Sequence, residues 1–455
     1  MRPIRVRVAA PIFDKYLITP ILASAYSLVI DPMWNFFFPV NGIMASRVEN
    51  KIFWPLVTAI ALGCLAFRNR SRFTWPPHIV WFAAYLALAG ASVLWAFKPG
   101  ISFSRFTAEI MMLIAIMPLM FADRKADIMP SLFYCFAVGA ILNAVVILSG
   151  NSIQSESMGI KIGYPGVFSF KGELGEFAAF AILFGLYQSA SRGGRRASGL
   201  IIVGVSIYLV LVSGSKGALG CALLAAMLAI LVLFAGKKMR VSPLIVLLPL
   251  LIGYAGLSKV LGNLINRISW YTYGNYDLSG RIYIWDLVNL EIAKRPLLGW
   301  GYRSIWLVGP DSPTLVDSAG SWVGKMPTAH NGYLDMMMDS GYIGIVLFVI
   351  FILTTLHAIG RVMDRDPTRA WLLLSIALFI SLQNFLETSW LQGAEPLWLM
   401  FVIVAAEAAR YWQPVPPDSA TVRPVFRRGS VAAGPTFPAR ARSVARLPRS
   451  PGVNG

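Results

Sequence analysis

Apolar residues run along this chain in long uninterrupted stretches: 16–38, 52–67, 78–97, 103–121, 129–149, 174–190, 198–213, 217–235, 241–258, 333–358, 371–389 and 396–412. A helix needs about 20 such residues to cross roughly 30 Å of hydrocarbon. The pattern therefore predicts about twelve transmembrane helices, nine before and three after a polar interruption at 259–332. The first run is broken by Asp31-Pro32, since proline removes a backbone donor and restricts the residue before it. It is read as a retained helix to about Ile30 followed by an interfacial aromatic segment, Trp34–Phe38. The opening residues, with Ala23-Ser24-Ala25, also resemble a signal peptide.

Composition agrees with this reading. The chain has 455 residues, of which 56% are hydrophobic and 14% charged, and a mean hydropathy of +0.63. A typical soluble domain is about 25% charged, and burial on folding saturates near three quarters of the surface. A soluble enzyme is excluded, and the expected fold is an all-α polytopic membrane protein. Four parts follow: transmembrane helices 1–9 over residues 1–258, a large outer loop at 259–332, helices 10–12 over 333–412, and a basic tail at 413–455. The tail has seven arginines, eight prolines and a single acid, Asp418, a composition expected to be disordered and able to touch anionic lipid.

The formal net charge is +18. With the N-terminus placed in the cytoplasm, 26 of the 40 Lys and Arg fall on the cytoplasmic side, as the positive-inside rule requires. The basic excess is thus a topology signal rather than a nucleic-acid footprint, and both termini are expected inside. Cys64, Cys135 and Cys221 each lie in an apolar run. No Cys/His cluster exists, so no metal site is expected. Asp364-Arg365-Asp366 has the spacing of a nucleotide-sugar metal motif, but it falls in a short cytoplasmic loop, opposite the other candidates.

The outer loop is the informative part. A loop of about 70 residues exceeds what lipid requires, and it is rich in Trp and Tyr. Arg281–Arg295 reads as an amphipathic helix, with Ile282, Trp285, Val288 and Ile292 on one face, Ser279 as a cap and Pro296 as its end. His330 is the only outer histidine, in Thr328-Ala329-His330-Asn331-Gly332-Tyr333, with Asp335 following. Two more outer cations stand at helix starts: Lys216 in Ser213-Gly214-Ser215-Lys216-Gly217 and Lys171 in Phe170-Lys171-Gly172-Glu173.

SGSKGA at 213–218, SGRIYIW at 279–285, RPLLGWGY at 295–302 and AHNGYLDMMMDSGYIG at 329–344 resemble the signature segments of the O-antigen ligase and polysaccharide polymerase superfamily. The nearest subgroup is the exopolysaccharide polymerases, and the resemblance covers about residues 165–412. It implies a membrane glycosyltransferase that takes glycan from an undecaprenyl-diphosphate donor at the periplasmic face of the bacterial inner membrane. No cofactor, metal or nucleotide sugar is implied. The implied partners are a lipid-linked oligosaccharide, an acceptor glycan, membrane lipid and polysaccharide export machinery. Family ligases carry arginine where Lys216 stands, and the segment at 170–175 keeps only Lys171 of the family's His-Lys-Asn pattern.

The chemistry fits that reading. A lipid diphosphate leaves readily if positive charge meets it; Arg281 offers a planar fork, and Lys216, with Lys171, offers point charges. His330, as a neutral imidazole, would take the proton of the acceptor hydroxyl. Direct displacement would invert the anomeric centre. Tyr283, Trp285, Asn331 and Tyr333 are candidate glycan contacts. The expected activity is polymerisation of repeat units; the alternatives are ligation of finished glycan to lipid A core or protein, and a transporter or flippase.

Overall fold

The computed structural model describes residues 17–39, 48–66, 74–122, 127–157, 160–250, 252–253, 270–271 and 281–413. Each of the twelve apolar runs contains helix where described, though the helix in 371–389 stops at Gln383. The helices are α1 (Ile18–Ala25), continuing through a π-helical turn (Tyr26–Ile30) into α2 (Asp31–Phe37), then α3 (Val48–Ala66), α4 (Pro77–Ser92), α5 (Pro99–Ala122) and α6 (Met129–Leu148). After a two-stranded ribbon, β1 (Ser155–Ser157) and β2 (Ile160–Gly163), come α7 (Lys171–Ser189), α8 (Gly194–Ser213) and α9 (Lys216–Met239). Beyond a helical stretch at 243–250 follow α10 (Arg281–Lys294), α11 (Pro313–Asp317), α12 (Gly332–Met363), α13 (Pro367–Gln383) and α14 (Pro396–Trp412). The expected break at Asp31-Pro32 does not occur. Pro32 sits in the first turn of α2, where its missing N–H costs little, and the π turn absorbs the irregularity.

Seven of these helices are long and apolar enough to cross a membrane unaided: α3, α4 with its 3₁₀ extension, α5, α6, α8, α9 and α12. α13 is apolar but shorter. The outer helices turn large side chains outward: Leu223, Leu224, Met227, Ile230, Leu231 and Phe234 of α9 are all exposed. Such a contiguous apolar surface is stable only against lipid. α14 is the opposite case. Every residue from Leu397 to Arg410 is buried, so this helix is apolar all round because it is enclosed by protein. The chain is a multi-pass membrane protein.

Several charges inside the bundle are paired or hydrogen-bonded. Glu407, fully buried, accepts from Arg369 at 2.7 Å and from Arg410. Arg369 also reaches Asp127 at 2.7 Å. Glu109 accepts from Trp398 Nε1 at 2.6 Å and from the Gly393 amide at 3.0 Å. Arg105 donates to the Arg303 and Trp306 carbonyls. These groups tie helices to one another and to the outer loop. Gln413, expected in the tail, is buried and exchanges hydrogen bonds with the Thr74 backbone at 2.9 and 2.7 Å; the rest of the tail lies outside the described residues.

One helix break fixes the outer loop. Gly341 in α12 has φ +64°, ψ −166°, a conformation open to glycine and hardly to other residues. The break leaves helical carbonyls without partners, and segment 296–301 supplies them. Trp300 N donates to Met338 O and Gly301 N to Asp339 O, each at 2.9 Å. In return Tyr342 N donates to Pro296 O at 2.8 Å. Segment 296–301 of the loop is therefore part of the fold rather than an appendage.

The amphipathic helix exists as α10, but its buried face differs from the expected one. Ile284, Leu287, Val288, Glu291 and Ile292 are buried, Ile282 is 40% exposed and Trp285 is half-buried. The helix is turned so that Glu291 points inward, where it pairs with Lys294 at 2.9 Å. The expected cap Ser279 lies outside the described residues. Of the loop aromatics, Trp300, Tyr302 and Trp306 are buried and serve packing, so they do not offer faces to a sugar.

Candidate functional site

His330 and Arg281, 49 positions apart in sequence, meet on one carboxylate. Glu387 Oε2 lies 2.7 Å from His330 Nδ1, and Glu387 Oε1 accepts from Arg281 Nη2 at 2.6 Å. All three side chains are partly open: 31% for His330, 23% for Arg281 and 38% for Glu387. A carboxylate can only accept. The Nδ1 contact therefore assigns the imidazole proton to Nδ1 and leaves Nε2 as the lone-pair nitrogen. Only Nη2 of Arg281 is engaged by a described residue, so donors of its fork remain for an anion.

The arrangement is built by two backbone turns. Asn384, at the end of α13, accepts from Ser389 N at 3.0 Å and Trp390 N at 3.1 Å and so closes the turn carrying Glu387. Gly332 N donates to Asn384 O at 2.8 Å, clamping the histidine loop to that turn. Thr388 links both sides: it accepts from Asn331 N at 3.0 Å and donates to Asp335 at 2.6 Å. Asp335 is buried and also accepts from Trp306 Nε1 at 2.7 Å and from the Ala329 amide. His330 itself has φ +48°. A non-glycine residue there costs about 1–3 kcal/mol and persists only where its surroundings enforce it. The bonds to Asp335 and Thr388 on either side supply that enforcement.

The other expected residues divide. Trp285 Nε1 donates to the Ala329 carbonyl at 3.0 Å, which places it under the histidine loop as a support. The Asn331 side-chain oxygen caps α12, accepting from Tyr333 N at 3.1 Å and Leu334 N at 3.2 Å. Tyr333 donates to Ser381 O at 2.9 Å and packs on Phe385. Those two residues are thus engaged in structure. Tyr283 is 58% exposed on α10.

Lys171 and Lys216 stand at the first positions of α7 and α9 and feel each other's charge. Their helix starts are pressed together: a Cβ on Gly175 would come within 2.2 Å of the Ser215 Cβ. Two helix N-termini side by side, each with a lysine, favour an anion. Glu173, two residues from Lys171, interacts electrostatically with Glu387, which brings this pair of helix starts near the His330–Glu387–Arg281 group. If Lys216 acts as a phosphate-facing cation, Lys216→Arg is expected to keep most activity and Lys216→Ala to lose about tenfold or more, read as initial rates on a lipid-linked substrate.

Glu387 is the residue that sequence reading missed. It lies inside the apolar run 371–389, which predicts continuous helix, whereas α13 ends at Gln383. An acid within an apolar run was the available signal.

An all-helical membrane bundle with a structured extramembrane loop, an imidazole–carboxylate–guanidinium group and paired lysines defines a polysaccharide-processing membrane enzyme when read with its relatives. Residues 177–349 match the family described as O-antigen ligase. The chain is 23% identical over 328 residues to the exopolysaccharide production protein ExoQ of Rhizobium meliloti (strain 1021), covering 68% of this chain and 72% of that protein. Shorter segments match Rickettsia proteins named "Putative polysaccharide ligase": 28% over 83 residues in R. prowazekii (18% of this chain, 20% of that protein) and 26% over 87 residues in R. conorii (19% and 21%). By these matches the chain is similar to the O-antigen ligase and polysaccharide polymerase superfamily. The family match spans Lys216, Arg281 and His330; Lys171 and Glu387 fall outside it.

Proposed function

We propose that the protein polymerises undecaprenyl-diphosphate-linked oligosaccharide repeat units into exopolysaccharide at the periplasmic face of the bacterial inner membrane. The observation that carries this reading is the joining of His330 and Arg281 by Glu387. The acceptor hydroxyl gives its proton to His330 Nε2 as its oxygen bonds the anomeric carbon of the donor. The bond from that carbon to the diphosphate breaks, and its electron pair leaves with the diphosphate. Glu387 stabilises the imidazolium that forms, as a carboxylate does behind a catalytic histidine. The free donors of Arg281, with Lys216 and Lys171, receive the leaving charge. One displacement inverts the anomeric centre. A retaining route would require a carboxylate as nucleophile, and Glu387 is already committed to the histidine and arginine.

Similarity to an exopolysaccharide production protein supports the exopolysaccharide product, and the description of the matched family as O-antigen ligase supports the second reading, ligation of a finished glycan. Purified protein given an undecaprenyl-diphosphate oligosaccharide, with chelator present, separates them. A product ladder of increasing repeat number is expected from the lipid-linked substrate alone, at a rate the chelator leaves unchanged. Transfer only when core lipid is added would establish the ligase reading, and loss of activity on chelation would overturn metal independence.

A further inference from the structure

Beside the site lies a cavity of about 360 Å³ between the α1–α2 segment, the start of α7 and the approach to α14. That is within the range of small-molecule sites, roughly 300–1,000 Å³. Its wall carries four carboxylates, Asp31, Glu173, Glu176 and Glu395. Among the described residues lining it there is no lysine, arginine or histidine. With no cation in its described wall, the cavity offers a diphosphate nothing to hold it, so the cavity and the lysine pair are separate subsites. Nor do the carboxylates converge on a single ion: among the described residues no three acids or histidines are grouped as metal ligands. They are spread around a space the size of an organic ring.

The wall is also built for hydrogen bonding to hydroxyls. Asn35, Asn50, Ser169 and Gln392 line it beside Tyr26 and Phe177. Glu176 is only 8% exposed; its Oε1 accepts from Gln383 Nε2 at 2.7 Å, and its Oε2 accepts from no described residue. A carboxylate on a buried residue that lines a cavity is placed to take a donor from whatever fills that space. The cavity is wired to the reacting group. Gln383, which grips Glu176, begins the turn that ends in Glu387, and the Glu387 amide donates to the Gln383 carbonyl at 2.8 Å. A ring held by Glu176 thus lies against the turn that carries the carboxylate behind His330.

We propose that this cavity binds one sugar ring of the glycan substrate, through its hydroxyls, as a subsite separate from the diphosphate-binding cations. The proposal rests on the glycosyltransferase reading above and adds where the sugar sits. Carboxylates accept strongly from sugar hydroxyls, amides can both donate and accept, and aromatic walls offer flat apolar contact. The ring belongs either to the donor or to the acceptor, since both present the same hydroxyl chemistry.

The test uses full-length protein in nanodiscs and three probes: undecaprenyl diphosphate without sugar, the same lipid carrying an oligosaccharide, and free oligosaccharide released from the exopolysaccharide of the encoding strain. Glu176→Gln keeps the shape of the side chain, and Ser169→Trp fills the cavity from an exposed position. Both variants are expected to bind undecaprenyl diphosphate as the wild type does, which also reports a folded protein. If the ring is the acceptor's, free oligosaccharide binds the wild type saturated with lipid-linked substrate, and the variants lose that binding about tenfold or more. If it is the donor's, the variants lose instead the gain in affinity that the attached oligosaccharide confers. Weakened binding of bare undecaprenyl diphosphate in these variants, or unchanged oligosaccharide binding in both, would overturn the proposal. The glycosyltransferase reading fails separately, through full polymer formation by His330→Ala.

Discussion

Glu387→Ala is expected to lower the polymerisation rate by about 10²–10⁴-fold while insertion and lipid-donor binding stay close to normal. The reason is that one residue holds two others. Its Oε2 fixes the proton on His330 Nδ1, and its Oε1 anchors Arg281. Without it the imidazole can present its N–H, rather than its lone pair, to the acceptor hydroxyl. Removing or neutralising the carboxylate behind a catalytic histidine costs up to about 10⁴-fold in the serine-protease case. Glu387→Gln fills the same space but can present an N–H to Nδ1, so it is expected to be nearly as damaging as alanine. Glu387→Asp should recover part of the rate. The assay is kcat against KM on purified lipid-linked oligosaccharide: a positioning role predicts a fall in kcat with KM little changed. Wild-type kcat in both the Ala and Gln variants would remove Glu387 from the mechanism.

His330→Ala and Arg281→Ala are each expected to abolish long-chain glycan. General-base catalysis contributes about 10²–10⁴-fold, and a cation at a developing charge contributes comparably, about 10²–10³-fold per donor. Arg281→Lys is not expected to rescue, because an ammonium cannot grip Glu387 and a phosphate oxygen with one planar fork. The double variant His330→Ala/Glu387→Ala should be little worse than His330→Ala alone, since Glu387 acts largely through the histidine. Additive losses would show that the two residues work independently. The readouts are polymer length on gels from cells with matched protein levels, and single-turnover rates with purified protein.

Much of the fold was legible because lipid imposes a simple rule. A backbone crossing hydrocarbon must satisfy its own hydrogen bonds, so long apolar runs read directly as helices, and each of the twelve runs contains helix where described. Prolines at helix starts also showed: α4, α5, α13 and α14 each begin with proline, where the missing N–H costs nothing. Less legible was where a run stops being helix. The run 371–389 looked continuous, yet α13 ends at Gln383 because Asn384 draws the amides of Ser389 and Trp390 onto its side chain. That turn is what releases Glu387 toward His330.

The site was half legible for the same reason. His330 was conspicuous as the lone outer histidine, and Arg281 as the first residue of an amphipathic helix. Nothing in their spacing announced Glu387, which lies 57 positions beyond His330 and 106 beyond Arg281. The roles of Asn331 and Tyr333 could not be separated from sequence either, because a polar residue beside a histidine reads equally as ligand contact or as helix cap. Their hydrogen bonds to the start of α12 and to α13 give both a part in the scaffold.

By itself, then, the chain determined that it must live in a bilayer and which stretches coil into helices, and it singled out the few outer residues proposed to carry chemistry. Those properties depend on local composition and on the period and length of apolar runs. Tertiary structure alone decided that the guanidinium and the imidazole share one carboxylate, that α10 turns Glu291 inward, and that an acidic cavity lies against the same turn. Each of these is a contact between distant segments, set by a helix break at Gly341 and a turn at Asn384 that satisfy backbone groups only when the whole bundle is assembled.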